Sequence, residues 1–256
     1  MLAIEIILLF IVTFCIGSIS AALGIGGGSL IIPFLVLLLN FDIKSAIAIS
    51  LFAIVSTSLA ATITYSKKDL VNFKYGSLLE IFSVGGAIIS SNIAILIDEK
   101  YLKAAFSIVL AYSAYRLLKK KKARQLKNSI KKRTLLSFVA SFMAGIIVGL
   151  LGIGGGVLKV PVLILILGLP IKTAIATSEF MISITSSTAA LTYYAKGYIN
   201  PYFITAAILG SFIGASVGST LAVKTKPAIL KVGLAILLAV FSVLMLLSCL
   251  GVKLWL

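Results

Sequence analysis

Long apolar stretches separated by short polar punctuation set the pattern of this chain. The first covers residues 3–22. A cluster of glycines follows, Gly24-Ile25-Gly26-Gly27-Gly28, and then a short apolar run at 29–39 that holds Pro33. Asn40 and Asp42 close that run and open the next helix, 44–65. Lys67, Lys68 and Asp69 form a polar loop before a helix at 74–97, and Asp98-Glu99-Lys100 separates it from one at 101–118. After a basic stretch, 119–133, the series begins again. An apolar run at 134–150 meets Gly152-Ile153-Gly154-Gly155-Gly156, then a short run at 157–167 with Lys159 and Pro161. Pro170, Pro201 and Pro227 stand at the mouths of helices expected at 172–194, 201–223 and 229–250. Proline suits the first helical position, where its missing N–H costs nothing.

Several of these runs exceed the ~18 residues that mark a membrane-crossing helix. The short runs do not. About eleven helical residues rise only ~16 Å, half of a ~30 Å hydrocarbon core, so each is expected to be a half-helix or re-entrant segment. Glycine inside a helix costs roughly 1 kcal/mol relative to alanine. Four glycines within five residues therefore read as a break in the helix. Lipid tolerates such a break only where protein buries it or where it lines a cavity.

The two halves match without gaps at an offset of 128 residues. Lys44, Ser50, Phe52, Thr57, Ser58, Thr64, Tyr65 and Asn72 recur as Lys172, Ser178, Phe180, Thr185, Ser186, Thr192, Tyr193 and Asn200. Matches of polar residues, Gly and Pro in register mean a duplication. The expected fold is an all-α polytopic membrane protein of two repeats, with eight long transmembrane helices and two half-helices. The expected divisions are a first repeat at 1–118, a basic cytoplasmic linker at 119–133 and a second repeat at 134–256.

Composition agrees: 61% of the residues are hydrophobic and only 12% charged. The net charge of +16 gathers in loops, densest from Lys119 to Arg133. That follows the rule that places lysine and arginine in cytoplasmic loops, so it points to the bilayer and not to nucleic acid. Inverted repeats, with both termini outside, place the loop at Lys224, Lys226 and Lys231 inside; parallel repeats swap these assignments and leave less lysine inside. Inversion is the expected arrangement, and it brings the two glycine tips together near the midplane, as in transporters. The N-terminus has Glu5 and no basic leader, so no cleavable signal peptide is expected. Cys15 and Cys249, at opposite ends of the chain, give no disulfide or metal spacing and read as small buried hydrophobes. Histidine is absent, which removes the commonest general base and metal ligand.

The paired motifs GIGGGSLIIPFL and GIGGGVLKVPVL, with the stretch IKTAIATSEFMISITSSTAALTYYAKGYI, resemble the TauE/SafE family of anion permeases. The resemblance covers nearly the whole chain. It implies a multi-pass cell-membrane transporter of small sulfur-containing or carboxylated anions such as sulfite or sulfonates. The family pattern also implies a neutral polar residue, often Asn, where this chain has Glu179.

The residues themselves nominate a site. The half-helix N-termini, at Gly26, Gly27, Gly28 and Ser29 and at Gly154, Gly155, Gly156 and Val157, offer N–H groups suited to an oxyanion. Lys159 and Glu179 lie in apolar surroundings, opposite Ile31 and Leu51 of the other half. Charge there needs a partner or a role. Two readings stand level: the two pair and hold helices together, or Lys159 counters the substrate's charge while Glu179 carries a coupling proton. Glu80 is expected to face a loop lysine or the membrane interface. Ser50 and Thr57, seven residues apart on one helical face, with Ser178 and Thr185, could complete an anion's solvation shell or bond between helices. Gly210, Gly214 and Gly218, echoed by Ser83, Gly86 and Ser90, form a close-packing face. No nucleotide-binding motif, cofactor or metal site is expected. The partners are a small anion and lipid, with a homo-oligomer left open. The function expected is anion transport by alternating access. An intramembrane enzyme and a non-transporting scaffold or partner subunit are the alternatives.

Overall fold

Apolar side chains that cover both the interior and the outer surface leave helices as the only economical backbone, because each helix satisfies its own N–H and C=O groups. The computed structural model describes residues 2–24, 26–118, 130–198, 201–224 and 228–249. Among these it has ten helices and no strand. In chain order they are α1 (Leu2–Leu23), α2 (Gly28–Leu37), α3 (Ile43–Ser66), α4 (Phe73–Leu96), α5 (Glu99–Leu118), α6 (Ile130–Leu151), α7 (Gly156–Leu165), α8 (Ile171–Ala195), α9 (Pro201–Lys224) and α10 (Ala228–Cys249). The order long, short, long, long, long occurs twice, as the apolar pattern requires. Among the described residues four stretches are long and apolar enough to cross a membrane: Ala3–Leu23, Ile43–Ser66, Phe73–Leu96 and Pro201–Leu221. Most of the basic linker, and Pro227, lie outside the described residues.

Polar residues punctuate the helices as their chemistry dictates. Asp42 caps α3 by accepting from Ser45 N at 2.8 Å, and Asn72 caps α4 by accepting from Tyr75 N at 3.1 Å. Such caps satisfy N–H groups that a helix leaves open. Outer faces are apolar. On α1, Ile4, Leu8, Ile11 and Cys15 form one exposed stripe at helical spacing. The expectation of a buried Cys15 is therefore corrected: it extends an exposed apolar face of α1. Cys249 is half-buried and donates weakly to the Lys100 carbonyl.

Close packing follows the small residues. Cβ atoms placed on Gly210, Gly214 and Gly218 of α9 would strike the backbone carbonyls of Phe10, Phe14 and Ser18 of α1. The two series rise together, so α1 and α9 run in the same direction. In the other pair, Gly145 of α6 lies on the Ser83 carbonyl and Gly149 on that of Ala87, so α4 and α6 also run together. These two contacts are each other's counterparts at the 128-residue offset. α5 and α10 occupy matching places in the two halves and run oppositely: Ser242 Oγ donates to the Ser107 carbonyl at 2.8 Å, and Cys249 meets Lys100. α3 and α8 pack on each other and against α9 and α4 respectively.

Candidate functional site

Left-handed backbone is what the glycine clusters supply. Gly24, Gly26 and Gly27 have φ of 72°, 84° and 84°; their counterparts Gly152, Gly154 and Gly155 have 64°, 85° and 70°. A side chain at any of these positions is strained, and glycine alone adopts them freely. The chain thus turns sharply between α1 and α2, and again between α6 and α7. Gly27 and Gly155 are the N-caps of α2 and α7, and neither offers a side-chain cap. Both half-helices therefore begin with N–H groups unclaimed by any capping side chain. Pro33 and Pro161 lie inside them and free the carbonyls of Ser29 and Val157, four residues earlier.

The two breaks touch. A Cβ on Gly26 would lie 3.1 Å from the Gly154 Cα, and one on Gly28 would fall on the Gly152 carbonyl oxygen. Ile54 of α3 and Ile182 of α8, a matched pair, both close on Gly26. Each break is tied to the opposite half by a serine. Ser50 Oγ donates to the Gly152 carbonyl at 3.2 Å, and Ser178 Oγ lies 3.2 Å from the Gly24 carbonyl and 2.9 Å from the Ile175 carbonyl of its own helix. Two tyrosines repeat the exchange within each half: Tyr65 donates to the Ala21 carbonyl at 2.7 Å, and Tyr193 to the Gly149 carbonyl at 3.3 Å. These bonds satisfy carbonyls at the ends of α1 and α6 that lack helical partners.

Near the second break the structure joins residues that the sequence kept apart. Lys159 Nζ of α7 donates to Glu80 Oε2 at 3.0 Å and Oε1 at 3.3 Å, and to Thr185 Oγ1 at 2.5 Å. Thr185 also bonds Glu80 Oε1 and lies 3.2 Å from Ser83 Oγ. Lys159 is 1% exposed and Glu80 2%. Two expectations are corrected here. Lys159 pairs with Glu80 and not with Glu179, and Glu80 faces neither a loop lysine nor an interface. The reason is the packing of α4 against α6 and α8, which carries a first-half carboxylate into the second half's break. The duplication held a signal that sequence reasoning missed: Glu80 and Lys159 stand where the opposite positions are Ile208 and Ile31. An ion pair that joins the halves at the second break answers two isoleucines at the first.

Near the first break the polar groups are open instead. Ser20 Oγ, Ser29 Oγ, Ser186 Oγ and both oxygens of Glu179 are buried without a hydrogen-bond partner among the described residues. Ser20 Oγ lies 3.1 Å from a Cβ placed on Gly27, and Ser29 sits in the first turn of α2. Glu179 and Ser186 are seven apart on α8, with Ile182 between them reaching Gly26, so they share the face that meets this break. The other nominated hydroxyls have committed their single proton. Thr57 donates to the Ala53 carbonyl at 2.9 Å, and Ser50 and Ser178 serve carbonyls as above. The side chain of Val157 lies outside the described residues; its backbone is in the first turn of α7.

Comparison with known proteins gives consistent findings. The family described as "Sulfite exporter TauE/SafE" matches residues 9–245. A "Probable membrane transporter protein YunE" of Bacillus subtilis (strain 168) is 29% identical over 91% of this chain and 94% of that protein. "Probable membrane transporter protein YdhB" of the same organism is 24% identical over 93% of this chain and 99% of that protein. A shorter match, 31% identical over 43% of this chain and 25% of the relative, is to "Sulfite exporter TauE/SafE family protein 5" of Arabidopsis thaliana. No solved structure matches the chain.

Proposed function

Given that this chain belongs to the sulfite exporter TauE/SafE family, and so is an integral membrane transporter and not an enzyme, we propose that it carries a small anion between two inverted repeats. Sulfite, a sulfonate or another sulfur-containing or organic anion is the substrate class. The carrying observation is the meeting of two half-helix N-termini without side-chain caps at Gly26 and Gly154, beside hydroxyls that have no partner among the described residues. Helix N-termini bind oxyanions without a formal cation. Ser20 and Ser29 add two hydroxyl donors at the first break, which makes it the initial resting place of the anion. Gly27, Gly28 and Ser29 hold it there, with Gly154, Gly155, Gly156 and Val157 facing from the other tip. Lys159 is drawn to the anion only when it parts from Glu80. Ser50, Thr57, Ser178 and Thr185 shape the surroundings of the breaks through the bonds they make.

Inversion is supported by helix direction. α5 and α10 stand in matching places and run oppositely. The parallel pairs α1 with α9 and α4 with α6 are what two halves related by a two-fold axis in the membrane plane produce. In this reading eight long helices cross the cell membrane, the two half-helices enter it, the segment 119–133 is a cytoplasmic linker, and both termini are outside. Repeats 1–118 and 134–256 rock against each other on the glycine faces of α9 and α6, exposing the anion to one side and then the other. Uptake into proteoliposomes tests the proposal. Saturable flux of sulfite, methanesulfonate or a small carboxylate supports it. No flux of any of these across a panel of sulfur oxyanions and organic acids refutes it. A thermal-shift screen with the same anions names the class, because a ligand at 100 times its Kd stabilises by about 2.7 kcal/mol.

A further inference from the structure

Glu179 is the charged side chain that this reading leaves without work. It is 0% exposed, and neither carboxylate oxygen has a partner among the described residues. Its one structural explanation, a pair with Lys159, is gone: that ammonium is held by Glu80 and Thr185. An unpaired carboxylate in an apolar interior costs several kcal/mol, so a cation must accompany it. The surroundings decide which. Ala176 on its own helix packs with Ala21 of α1, Ala60, Ala61 and Tyr65 of α3 and Ala215 of α9. Metal cations of the hard type need about six oxygen ligands, and no group of three or more His, Cys, Asp or Glu side chains that could supply them occurs among the described residues. A proton needs one oxygen.

We infer that Glu179, with Ser186 Oγ on the same face of α8, is the proton site that couples anion movement to a pH gradient; this rests on the transport reading above. The neighbouring titratable groups are few. α3 contributes Tyr65, whose hydroxyl is occupied by the Ala21 carbonyl. α7 and α4 contribute Lys159 and Glu80, which meet α8 further along at Thr185 and bind each other. Neither α1 nor α9 carries a charged residue in the part of the helix that packs here. The carboxyl lies on the helix whose Ser178 holds the Gly24 carbonyl at 3.2 Å. Anion at the N-terminus of α2 and proton at the C-terminal end of α1 thus occupy opposite poles of one break, each where the helix dipole favours its charge. The proton travels bound to the Glu179 carboxyl oxygen and leaves on the side where the anion leaves.

Two measurements test this. Infrared difference spectra of purified protein across a pH titration should contain a protonated-carboxyl band that is missing in Glu179→Gln, retained in Glu80→Gln and displaced in Glu179→Asp. In proteoliposomes, each unit of inward proton gradient should concentrate methanesulfonate up to about tenfold, without dependence on sodium. Glu179→Gln should keep downhill flux and lose accumulation. A spectrum unchanged by Glu179→Gln overturns the inference, as does accumulation that follows sodium or persists in that variant. The band with no anion flux at all overturns the transport reading and the coupling together, while leaving the proton on Glu179.

Discussion

The Glu80–Lys159 pair can be removed in a way that the protein itself has already sampled. At the matching positions, 128 residues away in each case, stand Ile208 and Ile31, both at least partly buried in the main apolar cluster. Removing one partner of a buried pair strands the other charge and costs about 3–5 kcal/mol. Glu80→Met should strand the Lys159 ammonium, with only Thr185 Oγ1 left to it. Lys159→Met should strand the carboxylate, with Thr185 as its remaining bond. Replacing both by apolar groups of similar volume is often neutral or stabilising, so Glu80→Met/Lys159→Met should lie within about 1 kcal/mol of the parent. For a chain of this size 1 kcal/mol moves Tm by roughly 2–4 °C. Each single variant should therefore melt roughly 6–20 °C lower, and the double should recover nearly all of it. Thermal unfolding in detergent, followed by intrinsic fluorescence, measures the cycle. Additive losses, with the double variant falling by the sum of the singles, would refute the argument that the pair holds charge and not shape. The stable double variant then serves transport: if Lys159 receives the anion, it folds and does not carry.

Further outcomes follow from the glycine breaks and their ties. Gly28→Ala places a methyl on the Gly152 carbonyl and should cost several kcal/mol as an overpacked contact, read as lost folded yield by size-exclusion chromatography; Gly85→Ala, where nothing lies within 4 Å, should be harmless in the same assay. Ser50→Ala removes a bond between the halves and should lower stability by about 0.6–1.7 kcal/mol, and Ser178→Ala, whose hydroxyl is shared with the Ile175 carbonyl of its own helix, should cost no more, as measured by thermal melts. Ser29→Ala should weaken anion binding and leave Tm in the absence of anion unchanged, because its hydroxyl has no partner among the described residues; isothermal titration with the best anion of the screen checks it, and an unchanged Kd would place the anion elsewhere.

How much of this was legible in the sequence depends on the range over which each signal acts. Helix lengths, breaks and caps are local. Gly24, Gly26 and Gly27 had to turn because four glycines cannot stay helical, and their left-handed φ values bear that out. Asp42 and Asn72 could be placed at helix starts, and the spacing of Gly210, Gly214 and Gly218 announced a close contact. The duplication, and with it the idea of two facing breaks, came from residue matches alone. The family followed from the same motifs. Partner choice was not local. Lys159 and Glu179 both lie in the second half and invited pairing, whereas the carboxylate that reaches Lys159 lies on α4, 79 residues away. Only the packing of α4 against α6 and α8 decided that, since a buried ammonium takes whichever carboxylate the helix crossing delivers. The same crossing left Glu179 without a partner among the described residues, next to Ser178 and one helical face away from Thr185. The sequence by itself determined that each half has a costly break; the tertiary structure decided that one break closes on its own ion pair and the other stays open.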